Sequence, residues 1–582
     1  VLEEMSKKVT LSENALAVAS ARYFHNGEDW EACCKRVSSA IASVEKDRAS
    51  FSEQFFEMIY NMDFMPGGRI LRNAGRQRGS LFNCYVLPIG DSIEEIGQFL
   101  KEALILWSEG GGVGCNFSPL RPQGDPILKK GGYSSGMVSF IEAANEVSKT
   151  IESGGQRRAA ALACVDVSHP EVLKFIDAKL VEGKLSHFNI SVAVNEDFLT
   201  KVASNGEWVL KFKQKEYERI PARHIWEKIV TNMVRCAEPG LLNWTNLSKN
   251  NSYYYDPILS TNPCGETPLE GYGVCDLGSL VLPNFITGNV NTNWNKLEKV
   301  IKLAVRFLDD VIECNNYVLP ENSIKAHNSR RIGIGVMGLA EYLFAKQVRY
   351  GSSRAVAEVE KLMRFIRDCA YQASVEIAAE KGAFPKFDAV LYGNASFVRK
   401  LPAQLRLDIK KFGIRNVTLL AVAPTGTVSL LPEVTSGIEP LFSKAFVRTD
   451  RVGERIYVHP LLQKMILTGE DVPDWFVDTS DLEPEAHFEI QAVTQRYVDG
   501  AVSKTINLPA GTTAEKLDYL LLEYIHDLKG VTVYVDGSRR GQVLRRLDYA
   551  ETVNYVVGKA MEISGSMSEQ DADCNCPQKG DS

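Results

Sequence analysis

The sequence predicts an α/β fold behind a helical N-terminal region. Three observations predict it. Short β-type runs alternate with amphipathic helices through most of the chain. The opening segment carries helix-like spacing only. No internal repeat or long apolar run suggests a solenoid or a membrane span.

Residues 1–75 read as helical, with helix-spaced apolar positions near 11–23 and 30–46. The turn Pro66-Gly67-Gly68 closes this region. Residues 76–560 are expected to form the catalytic body. Its β-type runs are Ser80–Leu87, Phe188–Val194 and Trp208–Phe212, interleaved with helices over 138–152 and 222–236. The stretch 295–316 places Leu297, Val300, Ile301, Ala304, Leu308 and Val311 on one stripe of a helix. A second long helix spans 353–381, with Gly382 at the C-cap position and Pro385 soon after. Val417–Ala423 reads as a buried strand, and Val531–Val535 as a late one. Residues 561–582 are rich in Asp, Ser, Gln and Gly and are expected to form a flexible tail.

The chain has 582 residues, 45% hydrophobic and 24% charged, which suits a large globular core. A net charge of −7 without a basic block argues against direct nucleic-acid binding. Twelve cysteines with no export signal are expected of a reducing, cytoplasmic compartment. They lack the spacing of a structural zinc site, and no metal ligand set is expected. Cys33, Cys34, Cys115, Cys164, Cys236, Cys314 and Cys369 read as packed thiols. His169 and His187 have no partners at metal-ligand spacing and read as structural.

Other residues point to chemistry. Asn262-Pro263-Cys264-Gly265-Glu266 puts an amide, a thiol and a carboxylate in one tight loop. Such a loop suits a sulfur that reacts while a carboxylate moves a proton. Cys84 and Cys275 read two ways: as buried thiols on unrelated strands, or as a redox pair joined by the fold. Cys574 and Cys576 on the tail read either as a disulfide-exchange shuttle or as an incidental pair. Glycine clusters at Gly110–Gly114 (Gly111, Gly112 and Gly114 among them) and at Gly154-Gly155-Gln156-Arg157-Arg158 permit close backbone approach to a ligand, or are plain turns. Neither fits a Walker A or dinucleotide fingerprint. Pro424-Thr425-Gly426-Thr427-Val428-Ser429 offers hydroxyls and amides after a strand. A helix starting near Ser429 would add a favourable dipole for phosphate. Arg451-Val452-Gly453 is too far from the C-terminus to be a glycyl-radical loop.

Together these segments resemble the ribonucleotide reductase catalytic chain. The resemblance runs through Pro66–Leu71, Leu81–Pro88, Gly110–Pro122, Gly154–Arg158, Phe188–Val192, Asn262–Glu266 and Cys275–Ser279. It continues through Gly333–Leu339, Ala423–Ser429, Ser436–Pro440 and Lys529–Arg539, and it looks most like the adenosylcobalamin-dependent class II. It implies a ten-stranded α/β barrel of two five-stranded parallel halves around a central finger loop that carries Cys264. By the same resemblance, Cys264 becomes a thiyl, Glu266 is the base and Asn262 binds the sugar hydroxyls. Cys84 and Cys275 supply two electrons. Pro424, Thr425, Gly426, Thr427, Val428 and Ser429 hold the substrate phosphates. Gly154–Arg158 links a deoxynucleotide effector to base choice, and Cys574 and Cys576 shuttle electrons from thioredoxin or glutaredoxin. Gly111, Gly112 and Gly114 lie near the substrate, and the chain forms a homodimer. The tail pair is spaced CxC where CxxC is more usual, the N-terminal segment is too short for an on/off nucleotide cone, and Tyr534 stands alone where class I chains carry a tyrosine pair. The alternatives are a class I large chain with a separate metal-radical subunit, or an inactive nucleotide-binding regulator on the same fold.

Overall fold

The computed structural model describes residues 9–128, 131–153, 157–158, 160–288, 290–450, 453–538 and 544–560. Its opening helices are Glu13–Arg22, Trp30–Ile41 and Arg48–Tyr60. Ser12, Asp29 and Asp47 cap them by accepting backbone N–H groups. Their inner faces bury Ala19, Trp30, Val37, Ile41, Phe55 and Ile59.

The next part is a barrel of two parallel halves. The first half runs Cys84–Val86, Gly112–Asn116, Ala160–Asp166, Phe188–Val194 and Gly240–Asn243, each strand parallel to the next. The second half starts with Leu277–Val281 beside Gly333–Met337, again parallel. Residues 420–422 continue it through single parallel bridges, Ile334↔Leu420 and Val422↔Val502. Thr505–Leu508 and Gly530–Val535 complete it as a parallel pair.

The halves run against each other and meet twice. Leu241 pairs with Val531 antiparallel at one seam. At the other, Val274 pairs with Tyr85 and Cys275 with Cys84, also antiparallel. These two seams close the ten-stranded barrel. Helices Trp294–Cys314 and Ser353–Lys381 pack outside it. Gly382 ends the second at φ +88, a conformation that suits glycine.

The expected strand at Val417–Ala423 is buried as predicted, but it pairs only through the two single bridges. Trp208–Phe212 falls within Glu207–Phe212, a strand of a separate hairpin with Lys215–Pro221. Residues 440–482, together with the described residues 544–560, form a second compact unit. Within it Ala445–Asp450, Gly453–Val458 and Leu544–Arg546 make an antiparallel sheet. Among the described residues no helix is long and apolar enough to cross a membrane.

Candidate active site

Strands Ser260–Thr261 and Pro268–Leu269 pair antiparallel and raise a finger whose tip is residues 262–267. Gly265 turns the tip at φ +83, and its N–H donates to Asn262 O at 3.0 Å. Three neighbours hold the finger. A Cβ on Gly114 would sit 1.8 Å from Thr261 O, so the finger lies flat against the 112–116 strand only because that position is glycine. Asn189 Nδ2 donates to Pro263 O at 3.1 Å, and Ala501 N donates to Glu266 O at 2.7 Å. At the finger's base, Arg331 pairs with Glu270 at 2.9 Å, both buried.

The tip exposes one group and hides two. Cys264 is exposed. Asn262 is 0% and Glu266 2% exposed. Asn262 Oδ1 accepts from Thr267 N at 3.0 Å, which fixes the amide. Asn262 Nδ2 and Glu266 Oε2 lie buried without a hydrogen-bond partner in the protein. Burial pushes the Glu266 carboxyl up to about 7, and the adjacent Asn262 amide partly offsets this. Such a carboxyl is poised to exchange a proton near neutral pH.

Cys84 and Cys275 lie directly opposite each other across the seam. Cross-strand pairs of this kind hold their Cα atoms about 4.5–5.5 Å apart. That lies inside the roughly 4.4–6.8 Å that a disulfide spans. Neither is in a disulfide here. The neighbouring Cys84 and burial push the Cys275 thiol well above its ordinary range, so it stays protonated. Gly112 ties this pair to the finger. A Cβ there would lie 3.0 Å from the Pro263 ring and 3.3 Å from Cys84 Sγ. A Cβ on Gly111 would lie 2.6 Å from the Tyr85 ring. The three glycines therefore make room for protein groups that build the site.

In the loop 424–429, Pro424, Gly426 and Thr427 are exposed, Val428 is half-buried, and Thr425 and Ser429 are buried. Only a short 3-10 turn, Val428–Leu430, follows it, so no helix dipole of useful size points at this loop. A Cβ on Gly426 would meet nothing within 4 Å, so the space beside it is open. A Cβ on Gly68 would lie 3.6 Å from Val428 Cγ2, which places the Pro66-Gly67-Gly68 turn against this loop.

Other expected sites fare differently. Arg157 and Arg158 pair with Ser153 and Glu152 as a two-stranded ribbon. Gly154, Gly155, Gln156, Cys574, Cys576, Arg451 and Val452 lie outside the described residues. His169 is structural, since its Nε2 meets Leu120 O at 2.9 Å and its Nδ1 accepts from Glu171 N at 3.1 Å. Cys33, Cys34, Cys115 and Cys164 are buried as expected, whereas Cys236, Cys314 and Cys369 are only half-buried. Sequence reading missed Asn189 and Ala501, whose contacts to the finger depend on long-range packing and leave no local motif.

Comparison with known proteins agrees with this geometry. The family model "Ribonucleotide reductase, barrel domain" matches residues 82–534, and "Ribonucleotide reductase, all-alpha domain" matches residues 9–79. A vitamin B12-dependent ribonucleoside-diphosphate reductase of Mycobacterium tuberculosis (strain CDC 1551 / Oshkosh) is 37% identical over 548 residues, covering 89% of this chain and 77% of that protein. One of Thermoplasma acidophilum is 36% identical over 526 residues, covering 85% and 66%. A ribonucleoside-diphosphate reductase subunit alpha of Helicobacter pylori (strain ATCC 700392 / 26695) is 25% identical over 585 residues, covering 81% and 72%. Barrel, finger and family match converge: the chain belongs to the ribonucleotide reductase family and is an enzyme of that family.

Proposed function

We propose that this chain reduces ribonucleotides to 2′-deoxyribonucleotides by thiyl-radical chemistry that depends on adenosylcobalamin. The observation that carries the reading is the finger, which holds an exposed Cys264 close to a buried acid and to the Cys84–Cys275 pair. The residues suit a radical-generating cofactor, because hydrogen can be taken only from a thiol that is reached. Cys264 is exposed, whereas Cys275 is buried. Adenosylcobalamin, when bound, would supply the radical chemistry, and Cys264 would be the group that gives up its S–H hydrogen. Relatives named vitamin B12-dependent support that cofactor at 36–37% identity, against 25% for the Helicobacter pylori subunit alpha.

The chain's own groups do the rest. The Cys264 thiyl takes the substrate's 3′-hydrogen and later returns it. Glu266 accepts the 3′-hydroxyl proton, and Asn262 Nδ2 donates to a sugar hydroxyl. Both atoms lie buried without a protein partner, as groups reserved for a ligand do. Cys84 and Cys275 give up two S–H bonds and form one S–S bond. The C2′–O bond breaks, the oxygen leaves as water, and a C2′–H bond forms. Pro424–Ser429 holds the phosphates, and Gly154–Arg158 relays a deoxynucleotide effector. Cys574 and Cys576 return electrons from an external thiol such as thioredoxin or glutaredoxin, in a cytoplasmic homodimer.

The test is reduction of labelled cytidine di- and triphosphate by dithiothreitol, with and without adenosylcobalamin. Product that forms only with the cofactor supports the reading. Equal turnover without it overturns the cofactor assignment, and no turnover with it under any deoxynucleotide effector overturns the class.

A further inference from the structure

Ser436-Gly437-Ile438-Glu439 has no part in the chemistry above, yet it grips the 424–429 loop. Ser436 Oγ accepts from Thr425 N at 2.9 Å, and Gly437 N donates to Thr425 Oγ1 at 3.1 Å. Gly437 stands at φ +56, which brings its N–H round to Thr425. The segment is anchored at both ends. At its start, Glu341 Oε2 accepts from Thr435 N at 3.0 Å and from Thr435 Oγ1 at 2.7 Å. Gly338 N donates to Thr435 O at 2.8 Å. At its end, Glu439 accepts from Lys504 Nζ at 2.6 Å and from Thr505 N at 2.7 Å.

Lys504 is an unusual anchor. Its side chain is 0% exposed, and it also meets His487 Nδ1 at 3.0 Å and donates to Thr505 O at 3.2 Å. A buried ammonium is costly unless paired, and Glu439 is the anion that pairs with it. Glu439 is thereby held in one place, and so is the turn that precedes it.

We propose that Lys504 and Glu439 at one end, and Glu341 at the other, are positioning residues that press residues 435–439 against Thr425 and so set the shape of the phosphate loop. The inference rests on reading 424–429 as the phosphate loop. A loop that binds phosphate with exposed backbone must have its donors aimed before the ligand arrives, since ordering it on binding would weaken affinity. Thr425 has its side chain and its N–H fixed by residues 436 and 437, so the aim depends on this clamp.

The test measures equilibrium binding of cytidine, cytidine diphosphate and cytidine triphosphate to the full chain. Lys504→Met should weaken both phosphorylated ligands by about tenfold while leaving cytidine within about twofold. Thr435→Ala, which removes the hydroxyl bond to Glu341 and keeps the two backbone bonds of the far anchor, should show the same selectivity at a smaller size. Gly426→Val serves as the control, since a Cβ there meets no protein atom within 4 Å and fills only ligand space. If Gly426→Val is phosphate-selective but Lys504→Met and Thr435→Ala weaken all three ligands alike or none, the clamp is refuted and the loop reading stands. If Gly426→Val leaves both phosphorylated ligands at wild-type affinity, the loop reading fails and the clamp with it.

Discussion

The finger and the 424–429 loop are built on opposite terms. Thr425, at the heart of the loop, has both its amide and its hydroxyl satisfied by residues 436 and 437. The finger instead leaves Asn262 Nδ2 and Glu266 Oε2 buried and unpartnered, at a cost of about 1–3 kcal/mol each. At its tip, the finger is held through its own main-chain oxygens: Thr261 O against Gly114, Pro263 O accepting from Asn189 Nδ2, and Glu266 O accepting from Ala501 N. The difference fits the two proposed jobs: Thr425 shapes a loop and is satisfied within the protein, whereas the groups proposed to meet the sugar are left without a protein partner.

The largest expected effect breaks the finger's seat. Gly114→Val would drive a side chain into Thr261 O, where even a Cβ stands only 1.8 Å away. The finger must shift, so turnover should disappear. Thermal unfolding should report destabilisation of about 1–3 kcal/mol or more. Wild-type turnover in this variant would show that the finger needs no such contact.

A smaller effect is expected from the waiting group. Glu266→Gln keeps the shape and removes the proton acceptor, so kcat should fall by about 10²–10⁴. In wild type, activity should rise with pH through about 7 as the carboxyl ionises, and the variant should lose that rise. Stability moves the other way. The folded pKa of about 7 lies above the ordinary 4.5, so the folded state binds more protons between them and loses stability as pH rises through that window. The free wild-type protein should therefore gain on the order of 3 kcal/mol at pH 4 relative to pH 8 from this group alone, and Gln at 266 should remove that component. Parallel pH profiles of kcat and of unfolding free energy would check both signs.

The smallest effect concerns the satisfied group. Thr425→Val leaves Gly437 N without its acceptor and frees the loop. A loss of about 1–2 kcal/mol should appear as roughly a tenfold rise in KM with kcat nearly unchanged. A fall in kcat with constant KM would place Thr425 in the chemistry instead.

Much of this was legible in the sequence where local pattern decides structure. Phe188–Val194 and Ala222–Cys236 form a strand and a helix over the very residues expected, because alternation and helical stripes are local signals. Asn262–Glu266 was readable as a tight reactive loop from its proline and glycine alone. Pairing was not readable. Cys84 and Cys275 become neighbours only when the barrel closes, and no spacing encodes that register. Gly112 and Gly114 looked like a ligand loop because a glycine cluster gives no sign of what approaches it. The unit formed by 440–482 with residues 544–560 was also hidden, because its strands read like any others.

The most direct test of the account follows the electrons. A fully reduced chain carrying Cys574→Ser and Cys576→Ser, so that the tail cannot exchange, would be given adenosylcobalamin and cytidine nucleotide without external reductant. Peptide mapping would then locate the new disulfide. The account predicts about one deoxynucleotide per active site and a disulfide joining Cys84 to Cys275, as the two-electron balance requires. Neither should form when Cys264 is also changed to Ser. Product without that disulfide, or product from the Cys264→Ser chain, would contradict it.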